Sequence, residues 1–209
     1  MSLGARPLIY LITAGAARDE TFLVDRAAIA KTISLAVDLG VPLVQIREKN
    51  LCARNLFSLA AEMATIVRGS STRVLVNDRA DIAKAALCDG VHLTSRSLPT
   101  ATLRKVFGSD FIIGVSTHSR EDVGAKRESS DFAVFGPVFE SPGKPQPTGF
   151  SELNLIAAET EGYPILAIGG ITSINYRQAI EAGAAGFAAI RALNDPESLA
   201  RIVKELKND

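Results

Sequence analysis

The sequence is poor in several residue types that would identify a class of protein. Its 209 residues contain no tryptophan, only two cysteines and only two histidines, and 23 basic side chains are balanced by 23 acidic ones. Two cysteines are too few for a disulfide scaffold and fit a reducing compartment. A net charge of zero produces no global field that attracts nucleic acid or an anionic membrane. We therefore expect neither as a partner.

Long apolar runs are also missing. The chain has no stretch of about 18 uninterrupted apolar residues, so a transmembrane helix is not expected. The N-terminal residues lack a basic segment followed by an apolar one, which argues against a signal peptide. Hydrophobic residues make up 47% of the chain, which is enough for a large core and excludes disorder. We expect a cytoplasmic globular protein.

Short apolar runs alternate with longer segments of helical spacing along the whole chain. The predicted strands are residues 8–13, 43–47, 73–77, 90–93, 111–115, 132–135, 164–168 and 186–190. Eight strand–helix units predict an α/β fold, a single-domain (β/α)8 TIM barrel over residues 1–209, with the repeating part from about residue 8 to 206. An open doubly wound sheet is the alternative, which is weakened because no Gly-x-Gly-x-x-Gly motif follows the first strand.

The ends of the predicted strands carry polar side chains. In such a barrel the active site lies at the C-terminal ends of the strands. Gln45, Arg47 and Lys49 share one strand face, and a polar face at the top of an apolar barrel favours ligand contact. The alternative is an ordinary rim ion pair between Arg47 and Glu48. The predicted substrate-binding residues are Gln45, Arg47, Lys49, Asn77, His92, Ser116, Glu140, Ser141 and Lys144.

Three of these residues, Glu140, Ser141 and Lys144, lie in an unusually long irregular segment. Residues 136–149 contain four prolines and three glycines. A loop of this length in a compact barrel is usually functional. We therefore expect the segment to belong to the site.

A phosphate site is predicted where the last two strands end. Gly169 and Gly170 follow the seventh predicted strand, and Arg191 follows the eighth. Backbone amides at a glycine turn, beside a helix N-terminus, form the usual phosphate site of such barrels. Arg191 adds the prospect of bidentate contacts to the phosphate. The alternative for the glycine pair is a plain strand-to-helix turn.

Both histidines fall at the ends of predicted strands. Histidine titrates near neutrality and is the commonest general acid or base, so His118 is the predicted catalytic residue. His92 lies between Val91 and Leu93, and for it a structural role is equally open. Asp78 is a plausible Mg²⁺ ligand, because Mg²⁺ takes one or two carboxylates together with substrate phosphates. The spacing of the cysteines and histidines does not indicate a zinc site.

Several motifs resemble, in order, those of the thiamine phosphate synthase/TenI family over almost the whole chain. They are QIREKN at 45–50, VNDR at 76–79, GVHL at 90–93, GVSTHS at 114–119, GPVF at 136–139 and AIGGI at 167–171. The resemblance implies a (β/α)8 barrel, often dimeric, whose ligands are small phosphorylated thiazole and pyrimidine compounds. It also implies one of two activities. A synthase joins hydroxymethylpyrimidine diphosphate to thiazole phosphate and releases diphosphate with Mg²⁺. A TenI-type tautomerase moves a proton to aromatise thiazole carboxylate phosphate and needs no cofactor.

The chain departs from the synthase pattern at several positions. An aspartate that the resemblance places on Mg²⁺ is Ser97 here, with Arg96 beside it, and a serine expected after the last strand is Arg191. The synthase loop Thr-x-Thr-Lys becomes Ser-Pro-Gly-Lys at 141–144. The run Phe139-Glu140-Ser141 resembles the Phe-Glu-Thr of the TenI branch, where the residue matching His118 is the proposed proton carrier.

These departures favour the tautomerase, with His118 as the proton carrier. The synthase is the alternative, with Asp78 on Mg²⁺. A non-catalytic protein that binds a thiamine precursor is a third hypothesis. A homodimer is possible in each case.

Overall fold

The computed structural model describes residues 3–4, 7–140, 147 and 149–208, and within them the chain alternates strands and helices. The strands are β1 (Leu8–Ile12), β2 (Leu43–Ile46), β3 (Arg73–Asn77), β4 (Gly90–Leu93), β5 (Ile112–Thr117), β6 (Phe132–Phe135), β7 (Ile165–Ala167) and β8 (Gly186–Ala189). The helices are α1 (Phe22–Asp38), α2 (Ala53–Ile66), α3 (Ala80–Ala85), α4 (Thr100–Phe107), α5 (Arg120–Lys126), α6 (Gly149–Glu159), α7 (Tyr176–Glu181), α8 (Arg191–Asn194) and α9 (Pro196–Lys207). A 3₁₀ turn at Arg127–Ser129 extends α5.

The eight strands form a closed parallel barrel in chain order. Each strand pairs with the next, and β8 pairs with β1 in the register Leu8↔Gly186. This confirms the predicted single-domain TIM barrel, and the open doubly wound sheet is wrong. Within the described residues, no helix has both the length and the hydropathy needed to cross a bilayer.

Some element boundaries differ from those predicted. Strand β5 extends to Thr117, so Ser116 belongs to the strand and not to the loop that follows it. Helix α7 begins only at Tyr176, because the Thr172 N–H donates to the Asn175 side-chain oxygen at 2.7 Å and holds a turn before the helix. The short helix α8 was not predicted, since four residues are too few to show helical periodicity.

Two apolar cores lie on the two sides of the sheet. The outer core packs the strands against the helices and includes Val44, Val76 and Leu59. The inner core fills the bore of the barrel with side chains that include Tyr10, Leu75 and Phe132. Alternate residues of each strand point to opposite faces, which explains why these strands are apolar throughout. Because apolar side chains of the described residues fill the bore, a polar ligand of the barrel would bind at the mouth and not inside it.

Glycine allows close backbone approach at the barrel wall. A Cβ atom added to Gly90, the first residue of β4, would overlap the carbonyl group of Ile112 on β5. By contrast, Gly124 lies in α5 with nothing within 4 Å of such a Cβ. Substitution of Gly90 therefore tests how tightly β4 packs on β5, and substitution of Gly124 is a control at a site with free space.

We expect Gly90→Ala to destabilise the protein by about 2 kcal/mol, since the added methyl group forces β4 and β5 apart. The matched control, Gly124→Ala, should stabilise it by about 0.5–1 kcal/mol, because alanine has the better helix propensity. Urea unfolding of both variants measures the difference. Equal stabilities would contradict the close packing of β4 on β5.

Candidate active site

A cavity of about 360 Å³ lies where β2, β3 and β4 end. Three of the residues predicted from the sequence, Lys49, Asn77 and Asp78, line it together. Arg79 and Arg96 also line it, so the cavity collects basic groups although the whole chain is neutral. Arg79 is already paired with Asp81 of α3. The arrangement suits a small anion.

Asp78 is the acidic centre of this cavity. Its backbone has a φ of 60°, a left-handed conformation that aspartate tolerates better than most residues. The carboxylate accepts hydrogen bonds from the Thr94 hydroxyl at 3.2 and 3.3 Å, from the Ser97 hydroxyl, and from the Asn77 amide at 3.1 Å. Ser97, which stands where the resemblance expects a second carboxylate, thus contacts Asp78 directly.

The oxygen atoms around Asp78 are compatible with Mg²⁺ held by one carboxylate. Mg²⁺ takes oxygen ligands and is commonly bound by one or two carboxylates plus substrate phosphates. No group of three or more histidine, cysteine, aspartate or glutamate side chains forms a metal site in the described part of the chain. Such an ion would therefore depend on Asp78 and on oxygens supplied by the ligand.

A buried polar layer lies inside the barrel at the level of this cavity. Gln45 on β2 donates from its amide to the Tyr10 hydroxyl at 3.1 Å, and both residues are almost fully buried. The Nε2 atom of His92 on β4 lies 3.0 Å from the Ser116 hydroxyl on β5. Asn77 is the register partner of His92 on the neighbouring strand. Four predicted residues therefore converge on one side of the bore.

His92 is neutral in this position. Burial lowers the pKa of His92 to about 3, because the imidazolium loses its hydration inside the barrel. The positive charges of Arg47 and Lys126 lower the pKa further, while the negative charge of Asp78 acts in the opposite direction. His92 is thus a buried hydrogen-bonding group, which fits the structural role that its sequence context left equally open, and its contact with a substrate stays a prediction.

His118 differs from His92 in exposure and in hydrogen bonding. Its ring is exposed just beyond β5, and its Nδ1 lies 2.7 Å from the carbonyl oxygen of Gly136. A carbonyl oxygen only accepts hydrogen bonds, so Nδ1 carries the hydrogen. The Nε2 atom is then left to exchange a proton with a ligand. This is the geometry that a general acid or base requires.

Gly169 and Gly170 follow β7 and pack tightly against the loop that follows β6. Their φ angles are 99° and 64°, values that favour glycine. A Cβ on Gly169 would lie 2.5 Å from the Pro137 side chain, and one on Gly170 would lie 2.5 Å from the Glu140 carbonyl oxygen. Asn175 also donates to the Gly170 carbonyl oxygen at 3.0 Å. The pair is therefore a rigid turn at the mouth.

The remaining predicted residues are placed as follows. Arg191 is exposed at the start of α8, and Glu140 is exposed in the loop after β6. Arg47 is half-buried, and its backbone N–H donates to the Thr13 hydroxyl at 2.8 Å. Ser141 and Lys144 lie outside the described residues.

Glu48 does not form the rim ion pair with Arg47 that the sequence leaves open. It is buried, and its two carboxylate oxygens accept hydrogen bonds from the backbone N–H groups of Gly15 and Ala17 at 3.0 and 2.9 Å. Glu48 therefore holds the loop after β1 against the end of β2. This loop in turn lies beside Arg47, because a Cβ on Gly15 would meet the Arg47 guanidinium at 3.2 Å.

Two residues of the site were missed in the sequence. Lys126 ends α5, and its ammonium group donates to the Ser116 carbonyl oxygen at 3.0 Å while pairing with Asp122 at 2.5 Å. Thr94 binds Asp78 from the loop after β4. Neither belongs to a recognisable motif. In a TIM barrel the loops that follow the strands line the mouth, and this rule alone could have suggested Thr94. The rule does not identify Lys126, because Lys126 lies at the end of a helix.

Comparison with known proteins shows consistent similarities. The family model described as thiamine monophosphate synthase (TMP-TENI) matches residues 9–193. A thiamine-phosphate synthase of Chlorobium luteolum is 39% identical over 176 residues, which cover 81% of this chain and 82% of the relative. One from Clostridium novyi is 33% identical over 204 residues, covering 96% and 97%. The solved structure of a thiamine phosphate pyrophosphorylase from Pyrococcus furiosus has a TM-score of 0.78 at 27% identity, and the match covers 95% of this chain and 96% of that one.

We expect Glu48→Gln to destabilise the protein by about 1–3 kcal/mol, since an amide accepts from only one of the two N–H groups and leaves the other unpaired. Hydrogen exchange of the Gly15 and Ala17 amides should become faster. Glu20→Gln, an exposed residue of the same loop, is the matched control and should change neither property. Unchanged exchange in Glu48→Gln would show that the loop does not depend on this carboxylate.

Proposed function

Because the chain belongs to the thiamine monophosphate synthase (TMP-TENI) family, we propose that it is a thiamine-phosphate synthase. This transferase of thiamine biosynthesis joins hydroxymethylpyrimidine diphosphate to thiazole phosphate and releases diphosphate. The observation that carries the proposal is the agreement of relatives named thiamine-phosphate synthase over up to 96% of the chain. The cavity lined by Lys49, Asn77 and Asp78 supports it, since it brings together two predicted substrate-binding residues and the predicted Mg²⁺ ligand.

In this proposal each part of the mouth has a separate task. Arg47 and Lys49 stabilise the negative charge of the departing diphosphate. Gln45 and Ser116 orient the pyrimidine ring, and binding both substrates in one mouth brings the reacting atoms together. The backbone amides of Gly169 and Gly170, with Arg191, bind the phosphate of the thiazole substrate. Glu140, Ser141 and Lys144 complete the substrate contacts.

Asp78 is the residue of this chain that would hold Mg²⁺. The ion, when bound, would neutralise charge on the diphosphate that leaves. The Asn77 amide and the Thr94 and Ser97 hydroxyls orient the Asp78 carboxylate toward the cavity. The described residues supply no second carboxylate in contact with Asp78, so the substrate contributes the larger share of the negative charge that attracts the ion.

The departures from the synthase pattern predicted a tautomerase, but the relatives carry the synthase name and no similarity to them specifically favours the tautomerase. The tautomerase remains the second candidate on one observation. His118 is held by the Gly136 carbonyl oxygen through Nδ1, and its Nε2 has no hydrogen-bond partner among the described residues, as a proton carrier that needs no metal ion requires. In either case the ligands are phosphorylated heterocycles. We place the reaction in the cytoplasm, and sedimentation tests whether the enzyme is a homodimer.

The synthase assay with and without a chelator tests the proposal directly. We expect thiamine phosphate to form from the two precursors and to be lost when Mg²⁺ is removed. Asp78→Asn, whose side chain has the same shape and tolerates the same backbone conformation, should lower the rate by about 100-fold. Turnover that is unaffected by the chelator and by Asp78→Asn would contradict a role for this carboxylate in holding the ion.

The same preparation should be assayed for thiazole tautomerisation. Tautomerase turnover that is lost in His118→Ala, in protein without synthase activity, would replace the synthase with the second candidate. Calorimetric binding of thiamine phosphate with both assays silent would identify the non-catalytic binding protein instead.

Ser97→Asp should increase the affinity for Mg²⁺. A second carboxylate beside Asp78 adds negative charge at the ion, and we expect the Mg²⁺ concentration for half-maximal activity to fall by about tenfold. Ser95→Asp adds the same charge to the lining of the same cavity and is the matched control. An equal effect of the two substitutions would show that the gain comes from the general field and not from ligation.

A further inference from the structure

The hydrogen bond between His92 and Ser116 does not by itself determine which ring nitrogen of His92 carries the hydrogen. A neutral imidazole carries its hydrogen on Nδ1 or on Nε2. The His92 Nε2 atom lies 3.0 Å from the Ser116 hydroxyl, which both donates and accepts, so this contact permits either tautomer. The other ring nitrogen decides between them.

The Nδ1 atom of His92 is buried without a hydrogen-bond partner among the described residues. It faces Gly114, because a Cβ on that glycine would lie 2.9 Å from Nδ1. The rest of the ring lies among aromatic groups, with centroids 5.7 Å from Tyr10 and 6.1 Å from Phe132. A buried N–H without an acceptor is rarer in proteins than an acceptor without a donor. The hydrogen therefore belongs on Nε2.

This assignment determines what the Ser116 hydroxyl does. The Nε2–H group of His92 donates to Ser116 Oγ, so the single hydroxyl hydrogen of Ser116 cannot point back toward the ring. Ser116 is half-buried at the mouth, and the ammonium group of Lys126 holds its carbonyl oxygen at 3.0 Å. Lys126 therefore holds the backbone of Ser116 and His92 holds its hydroxyl oxygen, which leaves the hydroxyl hydrogen for another acceptor at the mouth.

We propose that His92 is a positioning residue that makes Ser116 a hydrogen-bond donor toward the ligand. The ligand atom must then be an acceptor, either an unprotonated nitrogen of a heteroaromatic ring or an anionic oxygen. An N–H group at that position is disfavoured, because the fixed Ser116 hydrogen would meet another hydrogen. The proposal rests on the proposed function for the identity of the ligand, but the orientation of the hydroxyl group does not.

The two histidines of the chain must then be opposite tautomers. His118 carries its hydrogen on Nδ1, which faces the Gly136 carbonyl oxygen, whereas His92 carries it on Nε2. Because the chain has no other histidine, ¹⁵N labelling of histidine produces signals from these two rings alone.

Nitrogen NMR of the wild-type protein tests the tautomer without any assay of activity. At neutral pH we expect His92 to show a protonated Nε2 and an unprotonated Nδ1, with His118→Gln used to assign the other ring. A protonated Nδ1 in His92 overturns the proposal. This result does not depend on whether the protein is a synthase, so failure of the proposed function and failure of the inference are distinguishable.

Kinetics then test whether His92 acts through Ser116. His92→Met removes the donor and should lower kcat/KM by about tenfold, whereas His92→Gln, whose amide N–H restores a donor, should remain within about threefold of the wild type. In a Ser116→Ala background, His92→Met should cause no further loss. A full tenfold loss in that background overturns the proposal, because His92 would then act by another route.

The substrate whose KM changes identifies the acceptor. A change confined to the pyrimidine diphosphate assigns the contact to that substrate, and a change confined to thiazole phosphate assigns it to the phosphorylated thiazole. If the wild-type protein has no synthase activity, the same variants are compared by calorimetry with thiamine phosphate as the probe, and the same pattern of losses is expected. Urea unfolding of each variant separates loss of function from loss of fold.

Discussion

Eight strands of only three to six residues close into a ring, and the narrow bore of that ring is the constraint on which the structure depends. Large and small residues must alternate around the bore for its side chains to fit. Phe132 packs edge-on against Tyr10 at 5.3 Å between ring centroids, in space left by Gly114, where a Cβ would overlap the Phe132 ring. The aromatic pair seals the barrel below the mouth.

The polar side chains of the layer above this aromatic pair are buried. His92 and Gln45 are buried beside apolar side chains, and their hydrogen bonds go to groups on neighbouring strands, Ser116 and Tyr10, while Nδ1 of His92 has no partner among the described residues. Burial keeps His92 uncharged, and the cationic groups around it increase that effect. The positive charge of the mouth is thus carried by side chains that reach solvent. Polar side chains deep in the barrel are neutral and form hydrogen bonds, whereas those at the rim carry charge. The difference follows from how deeply each side chain is buried.

The sequence predicted the fold well because strand and helix alternate with the periods of a parallel barrel. It also predicted Asn77, Asp78 and His118 as residues of the mouth, since the rule of strand ends applies to each. It failed where a residue's role depends on contacts far along the chain. Glu48 is adjacent to Arg47 in sequence but binds backbone groups more than 30 residues away, and Lys126 reaches the site from a helix. Such contacts leave no periodicity to detect.

The rigid turn of Gly169 and Gly170 has a consequence for how proteins built on this barrel diversify. Among the described residues after β6 and β7, Gly169 and Gly170 pack so closely against Pro137, Phe139 and Glu140 that neither glycine has room for a side chain. Point mutation cannot easily change this turn, because its glycines have no space for a side chain and the backbone groups that it presents are the same in every amino acid. The half of the mouth after β2, β3 and β4 is made of side chains, and a single substitution such as the serine at position 97 changes its chemistry. New specificities should therefore arise on the side of β2, β3 and β4, while the backbone of the glycine turn stays the same.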